Sequence, residues 1–303
     1  MTEKIQQALQ QTATVLLEKE DVIQKVWMAI LADGHILLED IPGVGKTTLA
    51  STISQICQLA YNRIQCTPDL LPSDITGFTM YDRQKNEFIY KEGAVFANLL
   101  LVDEINRTSS RTQSALLEAM QEQQVTVDSV TYALPKPFTV IATQNPIGSV
   151  GTQPLPLAQL DRFMLKLSIG YPTRSAQIKM LENIALKREK QVPILNAEQL
   201  QKMQQEASER FIAPEIYRYI TDLVEQTRTY EGVVQGLSPR AAIDLLKLAK
   251  AGAYLEGKDY VTPEHVQQIW FEAASHRLIV KQGYDETKIL QAIVETVPFD
   301  KEW

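Results

Sequence analysis

The residue types best suited to chemistry in the first part of the chain are a lysine and two threonines that directly follow a glycine-containing turn. An apolar run, residues 36–38, leads into the turn, and a helix-forming run, residues 49–59, follows it. A strand, a loop and a helix in that order aim backbone N–H groups and the positive end of a helix at a phosphate. We therefore predict a loop that binds the phosphates of a nucleotide, made of Pro42, Gly43, Val44, Gly45, Lys46, Thr47 and Thr48.

Two side chains of this loop have specific expected roles. Lys46 is expected to reach the β- and γ-phosphates, and Thr47 is expected to hold Mg²⁺ through its hydroxyl. The loop departs from the pattern G-x-x-x-x-G-K-[ST] at one place, because Asp40 stands at the first glycine position. The alternative interpretation is a chance Gly-Lys-Thr in a surface turn, and the strand and helix on either side favour the phosphate loop instead.

A pair of carboxylates ends a second apolar run. Residues 99–102 are Leu-Leu-Leu-Val, and Asp103 and Glu104 follow them directly. A continuous apolar run suits a central parallel strand that is buried on both faces, and such sheets carry their chemistry at the carboxyl ends of their strands. Asp103 could accept a hydrogen bond from the Mg²⁺ shell, and Glu104 could polarise an attacking water. The alternative is two solvated carboxylates at a strand end.

Composition excludes several classes of protein. With 303 residues, 45% apolar and 22% charged, the chain matches an ordinary globular protein that can bury a substantial core. A net charge of −7 argues against a general nucleic-acid binder, and no apolar run approaches membrane-spanning length. The start of the chain lacks a signal-peptide core, and Cys57 and Cys66 have no metal-ligand spacing, so we expect reduced thiols and a cytoplasmic protein. The scattered histidines, His35, His265 and His276, suggest structural roles.

The order of predicted elements changes once along the chain. Strands are predicted at 36–40, 61–66, 98–103, 137–142 and 163–169, and helices at 3–18, 21–32, 47–59, 109–123 and near 157–162. This alternation predicts a three-layer α/β sandwich with a largely parallel sheet. After residue 171 only helices are predicted, at 174–189, 196–209, 213–229, 239–255, 263–276 and 285–296. We therefore expect a nucleotide-binding α/β domain over residues 1–171 and an all-helical domain over 172–303.

Two insertions interrupt the α/β alternation. Residues 68–96 contain short β-like runs on either side of a polar turn at 82–87. Residues 124–136 read as a hairpin, because Val-Thr-Val and Val-Thr-Tyr flank a turn at Asp128 and Ser129.

These features together resemble the AAA+ ATPases, and among them the MoxR family most closely. The resemblance covers nearly the whole chain, and its most specific segments are residues 34–40, 69–77, 96–107, 113–122, 142–146, 159–163 and 238–241. It implies a P-loop α/β core followed by a helical lid. It also implies that ATP and Mg²⁺ are the cofactors.

The resemblance assigns three further residues. Asn145 is similar to the sensor 1 residue, whose amide can donate to the γ-phosphate and accept from the attacking water. Arg162 resembles the arginine finger that is presented to a neighbouring subunit's nucleotide, a role that suits a planar guanidinium. Arg240 resembles the sensor 2 residue, at the start of a lid helix. Two positions depart from the family: Glu18 stands where glycine is expected near the adenine, and Leu157 replaces an expected glutamate.

The resemblance implies an ATPase that works as a ring, by analogy a homohexamer, and remodels or activates partner proteins. Family members often work with von Willebrand factor A domain proteins in chaperone-like or metal-insertion roles. One alternative is a DNA-translocating motor related to the minichromosome-maintenance helicases, but Lys136 is the only base in 124–136, and we expect neither nucleic-acid binding nor membrane insertion. Another is a scaffold that binds ATP and scarcely hydrolyses it, against which the pair Asp103 and Glu104 argues.

Overall fold

The computed structural model describes residues 2–145, 154–185 and 191–299. The helices are α1 Thr2–Ala13, α2 Glu20–Leu31, α3 Lys46–Ile56, α4 Pro72–Thr76, α5 Ser110–Glu122, α6 Leu157–Leu160, α7 Arg174–Ala185, α8 Ala197–Ser208, α9 Pro214–Thr229, α10 Pro239–Leu255, α11 Pro263–Gln267, α12 Trp270–Ala274 and α13 Glu286–Thr296. The strands are β1 Ile36–Glu39, β2 Tyr61–Gln65, β3 Gly77–Asp82, β4 Glu87–Glu92, β5 Leu99–Asp103, β6 Gln124–Val127, β7 Val130–Ala133, β8 Thr139–Gln144, β9 Leu165–Leu167, β10 Val233–Gln235 and β11 Ile279–Val280.

Five parallel strands form the central sheet, in the order β2-β5-β8-β1-β9. β5 and β8 lie inside the sheet and are buried along their whole length, as their apolar sequences predict. Alternate residues of β5 enter different cores. Leu99 and Leu101 pack with α1, α2 and α3 on one face, whereas Leu100 and Val102 pack with α5 on the other. This arrangement confirms the predicted three-layer sandwich.

Both insertions contain antiparallel hairpins, which confirms the hairpin predicted within residues 124–136 and forms the β-like runs of residues 68–96 into a second one. α4 leads into the β3–β4 hairpin, and the β6–β7 hairpin turns at Asp128 and Ser129, whose φ values are 49° and 66°. Positive φ at both central residues matches the twist of a two-residue hairpin. The rings of Tyr90 on β4 and Tyr132 on β7 stack with centroids 3.9 Å apart, so the two hairpins pack together.

The second half of the chain is helical with two departures from prediction. β10 and β11 form a short antiparallel pair that the sequence analysis missed, because strands of three and two residues leave no readable alternation. The helix predicted over 263–276 is divided into α11 and α12, with a 3₁₀ turn after them. The helix predicted over 174–189 ends at Ala185 in the described part, and residues 186–189 lie outside the described residues. Within the described ranges, no helix is long and apolar enough to cross a membrane.

The segment between the sheet and α7 follows β9 and begins at residue 168. The proposed division at 171/172 falls within this segment and stays a prediction. The same apolar cluster contains residues of α1, α2 and α3 and residues of the lid helices α8, α9 and α10.

Candidate nucleotide site

A cavity of about 300 Å³ lies at the carboxyl ends of β1, β5 and β8. Most of the residues predicted from the sequence line it, namely Pro42, Gly43, Gly45, Lys46, Thr47, Thr48, Asp103, Glu104 and Asn145. Three residues that the sequence analysis did not single out also line it, namely Arg63, Gln65 and Thr143. The fold therefore brings together a glycine loop with its lysine, two carboxylates and an amide from three separate segments.

The backbone of the loop between β1 and α3 needs its glycines. Gly43 and Gly45 have φ values of 87° and 104°, a region that other residues rarely adopt. An added Cβ would meet nothing within 4 Å at Gly43, so the loop leaves open space there, whereas at Gly45 it would meet Leu16 Cδ1 at 3.2 Å. α3 begins at Lys46, directly after Gly45, and its first N–H groups have no earlier helical carbonyl to bind. The loop and the helix end can therefore receive a phosphate.

Lys46 is held in place by the loop itself. Its Nζ donates to the backbone carbonyl oxygen of Asp40 at 2.8 Å. Partial burial lowers the pKa of Lys46, and the carboxylates of Asp40, Asp103 and Glu104 oppose that change. The ammonium thus has a neutral partner and no direct salt bridge within the described residues, which leaves its charge available for an anionic ligand.

The structure gives a reason for Asp40 at the first glycine position of the loop pattern. Asp40 has no positive φ, so this position does not require glycine. Its buried carboxylate points to the end of β9, where it accepts hydrogen bonds from Ser168 Oγ at 2.8 Å and from the backbone N–H groups of Ile169 at 2.6 Å and Gly170 at 2.9 Å. Asp40 therefore joins the phosphate loop to the segment that leads to the lid.

Asp103 is a buried carboxylate with two polar neighbours. Arg63 Nε donates to its Oδ2 at 2.7 Å, and Thr143 Oγ1 lies 3.4 Å from its Oδ1. Thr47 lines the same cavity, and its hydroxyl makes no hydrogen bond within the described residues. A threonine hydroxyl and one carboxylate, completed by phosphate oxygens and water, form a donor set that suits Mg²⁺. These residues therefore fit the metal that the resemblance implies.

Glu104 adopts a left-handed backbone, with φ 58° and ψ 49°, where the chain turns sharply out of β5. Its carboxylate accepts from Gln65 Nε2 at 3.0 Å, Arg107 Nη1 at 2.8 Å and Asn145 Nδ2 at 2.9 Å. Its own N–H donates to Thr143 Oγ1 at 2.9 Å. The hydrogen bond from Arg107, with that from Asn145, lowers the pKa of Glu104, so the side chain is held as an ionised acceptor.

Gln65 and Arg63 were missed because they lie on the edge strand of the sheet, whose sequence is Tyr-Asn-Arg-Ile-Gln. Successive strand residues alternate between faces, so Arg63 and Gln65 point the same way while Ile64 points into the other core. The polar–apolar alternation was a usable signal. What the sequence could not supply is the register that places Gln65 opposite Asp103.

Arg162 and Arg240 lie outside the set of residues that line the cavity. Arg162 Nη1 donates to the carbonyl oxygen of Leu117 on α5 at 2.7 Å. Arg240 occupies the first turn of α10, which Ser238 caps. The Ser238 hydroxyl donates to the carboxylate of Asp161 at 2.9 Å, so the end of α6 is tied directly to the start of this lid helix.

Glu18 stands where the family would have a glycine, and its backbone adopts the left-handed conformation that glycine favours. Its φ is 58°, and its carboxylate accepts hydrogen bonds from the hydroxyls of Thr173 and Ser175 at the start of α7. The adjacent Lys19 Nζ donates to the carbonyl oxygen of Tyr171 at 3.0 Å. These hydrogen bonds join the loop between α1 and α2 to the segment that precedes the lid. No contact of Leu157 in the described chain explains its difference from the expected glutamate.

The cysteines and histidines take no part in this cavity. Cys57 and Cys66 are free and buried, and burial raises the pKa of each thiol to about 12. His35 and His276 are buried against the carbonyl oxygens of Met120 and Phe163. The described residues contain no group of three or more histidine, cysteine, aspartate or glutamate side chains placed to hold a metal.

Comparisons with known proteins agree with this geometry. The sequence model of the ATPase family associated with various cellular activities (AAA) matches residues 35–165, and that of the AAA lid domain matches residues 225–297. The chain is 35% identical to the protein named Chaperone MoxR1 of Mycobacterium tuberculosis, over 91% of this chain and 76% of that protein. The chain belongs to the MoxR family of AAA+ ATPases.

Other relatives support this membership of the MoxR family. The chain is 41% identical to the protein YeaC of Bacillus subtilis, over 96% of this chain and 93% of that protein. It is 26% identical to Protein MoxR of Methylorubrum extorquens, over 94% and 92% of the two chains. Its fold matches the crystal structure of a protein assigned as an ATPase from Cytophaga hutchinsonii, with a TM-score of 0.93, 35% identity and coverage of 99% and 96%. The predicted P-loop AAA+ core with a helical lid is confirmed.

Proposed function

We propose that this MoxR-family protein binds Mg·ATP in the cavity, hydrolyses it to ADP and phosphate, and uses the cycle to remodel or activate a partner protein. The observation that carries the proposal is the convergence of Lys46, Thr47, Asp103, Glu104 and Asn145 on one cavity at the carboxyl ends of parallel strands. Phosphoryl transfer requires mainly positioning and charge stabilisation, and this convergence can supply both.

Different residues have different proposed roles in ATP hydrolysis. The loop N–H groups and Lys46 bind the β- and γ-phosphates and fix their orientation. Mg²⁺, bound by the Thr47 hydroxyl and the Asp103 carboxylate, would neutralise charge on the phosphate oxygens. Glu104 accepts a hydrogen bond from the attacking water, and Asn145, which already donates to Glu104, holds that carboxylate in its orientation.

The proposal includes assembly into a ring, by family resemblance a homohexamer, in which Arg162 serves the nucleotide of a neighbouring subunit and Arg240 acts from the lid of its own. Arg162 does not line the cavity of its own subunit, which agrees with a role at the nucleotide of a neighbour. One proposed partner is a client protein, in keeping with the chaperone named among the relatives. A von Willebrand factor A domain protein is proposed as a second partner from the family resemblance alone. The proposed location is the cytoplasm, and the two free thiols agree with a reducing compartment.

The two alternative functions receive less support. A DNA motor would need cations on its hairpin, yet the β6–β7 tip is Asp128 and Ser129, and Lys136 follows the end of β7. A scaffold that does not hydrolyse ATP requires no carboxylate to polarise water, whereas here three donors hold the Glu104 carboxylate beside the cavity.

Release of phosphate from ATP by the purified full chain tests the proposal, with and without Mg²⁺. We expect Mg²⁺-dependent turnover by the wild-type protein. Lys46→Ala should weaken ATP binding by about 1.5–3 kcal/mol, because it removes a charge-assisted contact. Lys202→Ala on the exposed side of α8 is the matched control and should bind as the wild type does. Tight ATP binding without phosphate release would favour the scaffold, and unchanged binding by Lys46→Ala would refute the assignment of the cavity.

A further inference from the structure

Arg63 is a cation that lines the cavity, and the proposed mechanism of hydrolysis gives it no role. It lies on β2, and its side chain is 50% exposed. Only its Nε is engaged, at 2.7 Å from Asp103 Oδ2, and the terminal Nη1 and Nη2 atoms donate to no described residue. The guanidinium therefore presents two unused nitrogen atoms at the cavity surface, each with N–H groups.

Arg63 and the proposed metal need the same carboxylate. Asp103 Oδ2 accepts from Arg63, and Asp103 Oδ1 lies near the hydroxyl of Thr143, so each oxygen already has one polar neighbour. A divalent cation near Asp103 would repel the guanidinium of Arg63 and weaken its hydrogen bond to that carboxylate. The guanidinium cannot lose its charge, so when it moves away from Asp103 an anion in the cavity is a stronger partner for it than water.

The other side chains near Arg63 indicate which anion is within reach. The second carboxylate, Glu104, already has Gln65, Arg107 and Asn145 as donors. Gln65 lies two residues from Arg63 on the same face of β2, so Arg63 is beside the end of the cavity where Glu104 is held. A nucleotide whose terminal phosphate lies near Glu104 therefore places that phosphate within reach of the unused guanidinium nitrogens.

We propose that Arg63 is a further catalytic residue, which balances the charge of Asp103 before Mg·ATP binds and then contacts the terminal phosphate of ATP within its own subunit. The inference rests on the proposed function, because it takes the cavity to be the Mg·ATP site. The exchange of partners suits arginine, since a planar fork can bind a carboxylate and a phosphate with equal geometry.

The first test separates ATP from ADP. Arg63→Gln keeps a polar side chain of similar reach and removes the charge. Its affinity for ATP, measured by titration, should fall on the order of tenfold relative to its affinity for ADP, because only ATP carries the terminal phosphate. Arg63→Lys retains a cation and should recover part of the ratio. Arg218→Gln on α9, whose side chain is 74% exposed, is the matched control and should keep the wild-type ratio.

The second test reads the competition for Asp103 without the terminal phosphate. Binding of a fluorescent ADP analogue is measured over a series of Mg²⁺ concentrations. Arg63→Gln should reach half-maximal binding at a lower Mg²⁺ concentration than the wild type, because the competing cation is gone. This midpoint reads the competition for Asp103, and the ATP-to-ADP ratio reads the contact with the terminal phosphate. Thermal unfolding of each variant confirms that substitution of the half-exposed Arg63 leaves the protein folded.

The outcomes distinguish this inference from the proposed function. Wild-type protein that fails to bind Mg·ATP refutes the proposed function and, with it, the role of Arg63. Wild-type protein that binds and hydrolyses Mg·ATP, together with an Arg63→Gln variant that keeps either the wild-type ATP-to-ADP ratio or the wild-type Mg²⁺ midpoint, overturns the inference alone.

Discussion

The side-chain amide of Asn145 donates to Oε1 of Glu104 at 2.9 Å, so the end of β8 controls the orientation of a carboxylate that follows β5. The two strands are neighbours in the sheet, which fixes the distance between the residues. Because Asn145 uses its Nδ2 for this hydrogen bond, its amide oxygen is available to a water molecule. The carboxylate proposed to polarise water and the amide proposed to sense the phosphate therefore act as one unit.

The pH dependence of turnover should depend on Arg107. Its hydrogen bond to Glu104 at 2.8 Å is the largest cause of the lowered pKa of that carboxyl. Since only the ionised carboxylate can act as a general base towards water, turnover should be lost as the pH falls through the pKa of Glu104. Arg107→Ala should raise that pKa and move the acid limb of the kcat profile to higher pH. Arg111→Ala, at an exposed position on α5, is the control. An acid limb that stays in place for Arg107→Ala would reject this account of Glu104.

Asp40 should stabilise both the fold and the phosphate loop. Asp40→Asn replaces one accepting oxygen with a donor, so the N–H group of either Ile169 or Gly170 loses its partner. We expect the free energy of unfolding to fall by about 1–3 kcal/mol, and ATP binding to weaken as the loop loosens. Ser168→Ala removes an exposed donor to the same carboxylate and should cost less. Denaturant titration measures both variants, and equal stability of Asp40→Asn and wild type would contradict the prediction.

Arg162 should act across a subunit boundary. Arg162→Ala should lose turnover while ATP binding changes less, because the residue lies outside its own cavity. A subunit with intact Arg162 and Lys46→Ala can then serve a neighbour that lacks Arg162, so mixing the two variants should restore some hydrolysis. If Arg162 worked within its own subunit, every subunit in the mixture would carry one fatal defect. A mixing curve that stays at zero, with subunit exchange confirmed separately, would falsify the assignment in trans.

The sequence predicted the parts of the site that depend on local pattern. A strand, a glycine turn and a helix locate Lys46, and an apolar run that ends in two carboxylates locates Asp103 and Glu104. Both motifs specify their own geometry over a short stretch of chain. The parallel sheet then brings them together, because the carboxyl ends of its strands share one edge.

The contacts that the sequence did not reveal join residues that are distant along the chain. Asp40 binds backbone groups 129 and 130 residues further on, and those backbone groups carry no side-chain signal. Arg63 reaches Asp103 only because β2 pairs with β5 in one register, and a shift by one residue would turn it to the other face.

The most direct test of Mg·ATP hydrolysis at this cavity is made on Glu104→Gln. The amide keeps the size of the side chain but cannot polarise water as a carboxylate does, so hydrolysis should fall by about 10²–10⁴-fold while binding persists. Nucleotide retained after rapid filtration and phosphate released from the same sample are measured together for the wild type and the variant. The account predicts that the variant retains Mg·ATP as intact triphosphate. Hydrolysis by Glu104→Gln at the wild-type rate would contradict the account.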